Sequence, residues 1–148
     1  MLFRRISALA IAATLSLGAI AIAQDSFTAP ATPEEAVSMR KVLMREDGGI
    51  LRSAGNLSGA EAVAAMKTLQ TNYSHIPALF PEGSIVGDSE ALPAIWENWD
   101  AFVAIAKTGE DAAAAGVIAA EAGDTAGYND ALRTLQGTCG QCHQQFRS

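Results

Sequence analysis

The sequence predicts an all-α chain folded as an antiparallel four-helix bundle. Three observations carry that expectation. Apolar residues recur at spacings of three and four, and alanine is abundant. No β-branched run alternates as a half-buried strand would. Four periodic stretches follow one another, each bounded by capping or turn residues and joined by short or compact connections, which is the pattern of a bundle.

The N-terminus stands apart from these stretches. Arg4 and Arg5 precede a nearly unbroken small and apolar run from Ile6 to Ala21, and Ala21-Ile22-Ala23 is an A-x-A cleavage pattern. Residues 1–23 therefore read as a secretory signal peptide, and residues 24–148 as one domain beginning at Gln24. A membrane anchor is the rival reading, but the run is short against the ~20 residues a span needs, and the cleavage pattern follows at once. Removal of the signal takes two arginines with it and moves the formal charge from −6 to −8. An acidic domain without a basic stripe argues against nucleic acid as a partner; its charge suits solubility and the steering of a partner. No second span follows, because the alanine-rich run from Asp111 to Ala122 is short and interrupted by Gly116 and Glu121. The chain reads as a soluble, exported, periplasmic protein.

The first helix starts at a capping box. Thr32 is the cap, Pro33 suits the first helical position, and Glu35 completes Thr-x-x-Glu. It is expected over 33–53, ending near Gly55-Asn56, with Val37, Met44 and Leu51 on one inward stripe and Ala36, Leu43 and Ile50 on the next. The second helix opens at Ser58 with Glu61 as its box partner, carries Val63, Met66, Leu69 and Tyr73 at the helical period, and stops before Pro77. A segment over 74–92, rich in turn residues, follows; at that length it is expected to be packed rather than loose. The third helix is expected as one long element from Pro93 to about Ala122, with Trp96, Trp99, Phe102, Val103 and Ala106 inward and Gly109 and Gly116 as local weak points. Gly123-Asp124 turns the chain into a fourth helix over 125–147, where Leu132, Leu135, Cys139, Cys142 and Phe146 step by three and four.

That last helix carries the chemistry. Cys139-Gly140-Gln141-Cys142-His143 is a Cys-x-x-Cys-His run, the attachment signature of a c-type haem. Each thiol adds to one haem vinyl group, and the histidine becomes the proximal iron ligand. On a helix the two cysteines share a face and His143 projects to the same side. The competing readings fit less well. A thioredoxin-type dithiol expects a βαβ setting, and structural zinc needs four ligands, whereas the chain holds two cysteines and one further histidine, His75. Export would ordinarily favour a disulfide, but the adjacent His143 makes thioethers the better use of this pair.

With these residues in view, the chain resembles the cytochrome c′ family, the class II c-type cytochromes, across essentially all of residues 24–148. The C-terminal Cys139–Arg147 stretch, the segment Ala91-Leu92-Pro93-Ala94-Ile95-Trp96 and Pro33-Glu34-Glu35-Ala36-Val37 followed by Arg40 carry the resemblance. It implies one covalent haem c in a four-helix bundle. It also implies that the residue four positions after the first-helix arginine, here Met44, faces the iron. In low-spin members of the cytochrome c-556 type a methionine there is the distal ligand; in five-coordinate members an apolar residue stands over the iron. Arg40, Met44 and Gly48 form one helical row, with Gly48 leaving room for a planar ring and Arg40 at the pocket edge, where it can meet a haem propionate. Arg147 resembles the family's basic residue beside the haem; a solvated helix end is the plainer alternative. Met39 falls off the Met44 row and Met66 lies on the second helix, so both read as packing. His75, close to Pro77, reads as a surface or capping group rather than a ligand.

The implied function is one-electron transfer through a His143/Met44-ligated low-spin haem, without substrate turnover, to redox partner proteins. The alternative is a five-coordinate member that binds or scavenges nitric oxide or other small gases, which requires Met44 to be off the iron or easily displaced. A haem module docked on a larger redox enzyme is a third reading. Homodimers through the first two helices follow from family analogy alone.

Overall fold

The computed structural model describes residues 27–148, so the signal-peptide and cleavage expectations lie outside the described residues. The described chain is helical, with five α-helices in the order α1 (Pro33–Ser53), α2 (Gly59–His75), α3 (Ala94–Glu97), α4 (Trp99–Ala122) and α5 (Thr125–Phe146). Four of them are the long elements of a bundle.

The helix ends follow from local chemistry. Thr32 Oγ1 accepts from the Glu35 amide at 3.1 Å, and the Glu35 carboxylate accepts from the Ala31 amide at 2.8 Å, one residue earlier than a strict capping box would have it. Ser58 sits at the N-cap of α2 but makes no side-chain cap bond. Asp124 caps α5 by accepting from Gly127 N at 3.0 Å. Gly123, at φ 68°, takes the left-handed turn that ends α4.

The long third helix expected from sequence is instead two. Asn98, at φ −130° and ψ 45°, breaks it between α3 and α4. Its side-chain amide donates back to the Ala94 carbonyl at 3.2 Å, the local competition that makes asparagine a poor helix interior. The Trp96 indole donates to the Phe80 carbonyl at 3.0 Å, tying α3 to the preceding segment. Trp96, Trp99 and Val103 are accordingly only half-buried, while Phe102, Ile105, Ala106, Ala113 and Val117 carry the buried face.

α4 is the central helix, packed along its length on α2 and α5. Its glycines are where α2 comes close. A Cβ at Gly109 would lie 2.0 Å from Tyr73 Cε1, and one at Gly116 would lie 2.6 Å from Met66 Sδ. The residues expected to weaken the helix are therefore what lets two helices meet. α1 packs on α2 and on the 3₁₀ turns at Ala54–Asn56 and Pro77–Leu79, and its backbone stands off α4 and α5. The gap between α1 and the α4–α5 pair is what the fold provides for function.

Candidate functional site

A cavity of about 790 Å³ fills that gap, within the range of small-molecule and cofactor sites. α1 supplies Arg40, Met44, Asp47 and Gly48 to one wall; α5 supplies Thr138, Cys139, Cys142, His143 and Phe146 to the opposite one. Phe102, Ile105 and Ala106 of α4 form an apolar floor. Tyr73 closes one side, and the segment from Asp88 to Ala91 lies along another.

The residues singled out from sequence converge here. Met44, Cys139, Cys142, His143, Arg40 and Arg147 all line the one cavity. Met39 packs against the core without lining the cavity, and Met66, fully buried, fills the space over Gly116. His75 closes α2 and stacks on Phe27, ring centroids 3.9 Å apart, away from the cavity wall.

Neither cysteine is in a disulfide, and both are half-buried. Burial pushes the Cys142 thiol up to about 11, with the neighbouring Cys139 adding to the rise, so it stays protonated near neutral pH. Burial, assisted by the positive charge of Arg147 and opposed by Glu90, lowers His143 from its ordinary value. That favours the neutral imidazole a metal ion needs.

Arg40 is the most heavily bonded side chain of the site. It is 5% exposed. Nη1 donates to Ser84 Oγ at 2.9 Å and the Leu79 carbonyl at 3.4 Å; Nη2 donates to the Ser84 carbonyl at 2.7 Å and Ser89 Oγ at 2.6 Å. Its guanidinium also stands 4.6 Å above the Phe80 ring centre. The expected pocket-edge arginine thus fastens the 74–92 segment to α1, which is why that segment is packed. Burial lowers its pKa, yet a guanidinium remains charged. Arg147 is exposed and pairs with Glu90 through Nε at 2.9 Å and Nη2 at 2.5 Å. The Leu92 amide donates to the Phe146 carbonyl at 3.0 Å and the Ser148 amide to the Glu90 carbonyl at 2.9 Å, so the far end of the segment is stitched to the C-terminus.

Among the cavity residues that the sequence reading missed, two stand out. Asp47 is 4% exposed, and Asn72 Nδ2 donates to its Oδ1 at 2.7 Å. Its signal was its place on α1, three residues after Met44 on the inward face. Burial raises its carboxyl from 3.8 to about 6, Glu46 adds to the rise, and the Asn72 bond opposes it. The folded form therefore binds this proton more tightly than the unfolded chain does. Stability falls as pH rises from about 4 to about 6, and the penalty is complete above that. In the haem-free protein, Asp47→Asn is expected to stabilise the fold at pH 7 by up to about 3 kcal/mol. The substitution also flattens that pH dependence, as denaturant unfolding at pH 4 and pH 7 would record. The second residue is Tyr73, whose buried hydroxyl required a partner.

The residues fit a flat, covalently held macrocycle: two thiols and an imidazole on one wall, a thioether on the wall across, and an apolar floor. A family model described as Cytochrome C′ matches residues 33–147. The cytochrome c-556 of Agrobacterium tumefaciens (strain II Chrys) is 42% identical over 119 residues, covering 75% of this chain and 95% of that protein. A solved cytochrome c′, described for an unusual ligand-controlled dimer dissociation, superposes with a TM-score of 0.72 at 25% identity, covering 81% of this chain and 99% of that one. The nitric oxide complex of a mutant cytochrome c′ from Alcaligenes xylosoxidans gives a TM-score of 0.70 at 24% identity, covering 80% and 98% respectively.

Proposed function

The chain belongs to the cytochrome c′ family and carries covalently bound haem c, and on that premise we propose that it is a periplasmic one-electron carrier whose haem iron His143 and Met44 would ligate. The single observation that carries this reading is that Met44 and His143 line opposite walls of one cavity, from α1 and α5. When bound, haem supplies the ferric/ferrous couple, and His/Met ligation raises its potential.

The chain's own residues do the rest. Cys139 and Cys142 would hold the ring as thioethers, and His143, from the same helix, would ligate the iron. Met44, from α1, would supply the second iron ligand, and exogenous ligands would then have to compete with a protein sulfur. Ile105, Phe102 and Phe146, buried and lining the cavity, would exclude water from a bound ring. Arg40 and Arg147 supply positive charge for the haem carboxylates, Arg40 while keeping its bonds to the 74–92 segment. The acidic surface steers a basic redox partner protein. The outer face of α1, where Val42 is exposed, offers a second copy of the chain an apolar contact. The dimer behaviour described for one solved relative supports that part of the reading.

The nitric oxide complex formed by another solved relative sets the test. The haem-loaded protein is expected to cycle reversibly by one electron with small donors and acceptors in stopped flow. Its ferrous spectrum should not change on brief exposure to micromolar nitric oxide. Rapid nitrosyl formation at that concentration would favour gas binding instead.

A further inference from the structure

We propose that Tyr73 is a positioning residue for the Cys139 attachment, its hydroxyl holding the sulfur and, once the thioether is formed, donating a hydrogen bond to it that tunes the haem potential. The inference rests on Cys139 being an attachment residue. Three helices converge on that sulfur. Tyr73, on α2, is 5% exposed and places its hydroxyl 3.3 Å from Cys139 Sγ, 3.1 Å from Thr138 Oγ1 and 3.4 Å from the Leu135 carbonyl. Gly109, on α4, makes room for the ring, since a Cβ there would lie 2.0 Å from Tyr73 Cε1. Among the described residues no hydroxyl bonds Cys142 in this way, and it packs against the apolar core. The two sulfurs are therefore held differently.

Hydrogen-bond bookkeeping gives the network a direction. Thr138 Oγ1 donates to the Leu135 carbonyl at 2.7 Å, which leaves its oxygen free to accept from Tyr73. In the free chain the Cys139 S–H then donates to the Tyr73 oxygen, completing a run from sulfur to tyrosine to threonine to carbonyl. Attachment adds the thiol across a vinyl group: sulfur bonds the carbon next to the ring, the thiol proton goes to the terminal carbon, and no electrons are gained or lost. The sulfur is now an acceptor only. Tyr73, whose ionisation burial disfavours, keeps its O–H and can turn it to the sulfur. A donor dipole aimed at a ring substituent favours the state with the extra electron, so it raises the potential.

The test uses the haem-loaded full chain and two variants with opposed expectations. Tyr73→Phe keeps the ring over Gly109 and removes the donor; the reduced-to-oxidised ratio at a fixed ambient potential is expected to fall about threefold, a fraction of one hydrogen bond. Thr138→Val removes the nearer of two competing acceptors and leaves only the more distant Leu135 carbonyl at 3.4 Å, so a larger share of Tyr73 hydroxyls turns to the sulfur and the ratio is expected to shift the other way. A merely structural role would move both in one direction. An unchanged potential in Tyr73→Phe, or shifts of the same sign, would overturn the proposal. Haem retention after denaturation is read alongside in wild type and in Cys139→Ser. Attachment through Cys142 alone in the wild type would instead sink the underlying assignment of Cys139.

Discussion

Met44→Leu is expected to convert the haem-loaded protein from low-spin to high-spin iron and to open it to carbon monoxide. Leucine matches methionine closely in volume, and such swaps cost under about 1.5 kcal/mol, so the fold survives while the sulfur is lost. If Met44 leaves the iron in about one molecule in a hundred, carbon monoxide sees that fraction only, and the variant binds it about 100-fold more tightly. The potential should also fall, because a thioether ligand raises it. Neither Met39 nor Met66 lines the cavity, so neither stands ready to replace the lost ligand. Carbon monoxide titration of the ferrous variant, followed optically, checks all of this; a variant that stays low-spin would place the ligand elsewhere.

The largest effect expected on stability comes from Arg40→Met. The substitution keeps an apolar stem against Phe80 and removes four hydrogen bonds. Ser84, at 0% exposure, would keep a buried hydroxyl and carbonyl without their partner. Each orphaned acceptor costs about 1–3 kcal/mol, so the two on Ser84 should cost about 2–6 kcal/mol together. A domain this size holds only about 5–15 kcal/mol in total, and the melting midpoint should drop by roughly 10 °C. Thermal unfolding of the haem-loaded variant measures it, and an unchanged midpoint would mean that the 74–92 segment holds its place without Arg40.

The bundle was legible in the sequence where local chemistry decides structure. Thr32, Pro33 and Glu35 mark the start of α1, and Gly123-Asp124 separates α4 from α5, because caps and left-handed turns are read within a few residues. The break at Asn98 was not legible: the periodicity continues through it, and the Trp96 indole that anchors α3 is bonded to Phe80, an earlier part of the chain. The site divides in the same way. Cys139, Cys142 and His143 announce themselves as a motif, and Met44 followed from a helical row joined to a family resemblance. Arg40 was found for its position, but its partners are backbone and hydroxyl oxygens of a distant segment, which no spacing rule reveals. Asp47 and Tyr73 were hidden for a related reason. Each looks like an ordinary helix residue until the neighbouring helix supplies Asn72 for one and Cys139 for the other.

The proposed site has Met44 sulfur and His143 nitrogen sharing one iron. The near-infrared absorption spectrum of the oxidised, haem-loaded wild-type protein tests it most directly. Iron held by both residues gives a low-spin ferric spectrum with a sulfur-to-iron charge-transfer band that is lost in Met44→Leu. A high-spin ferric spectrum without that band in the wild type would contradict it.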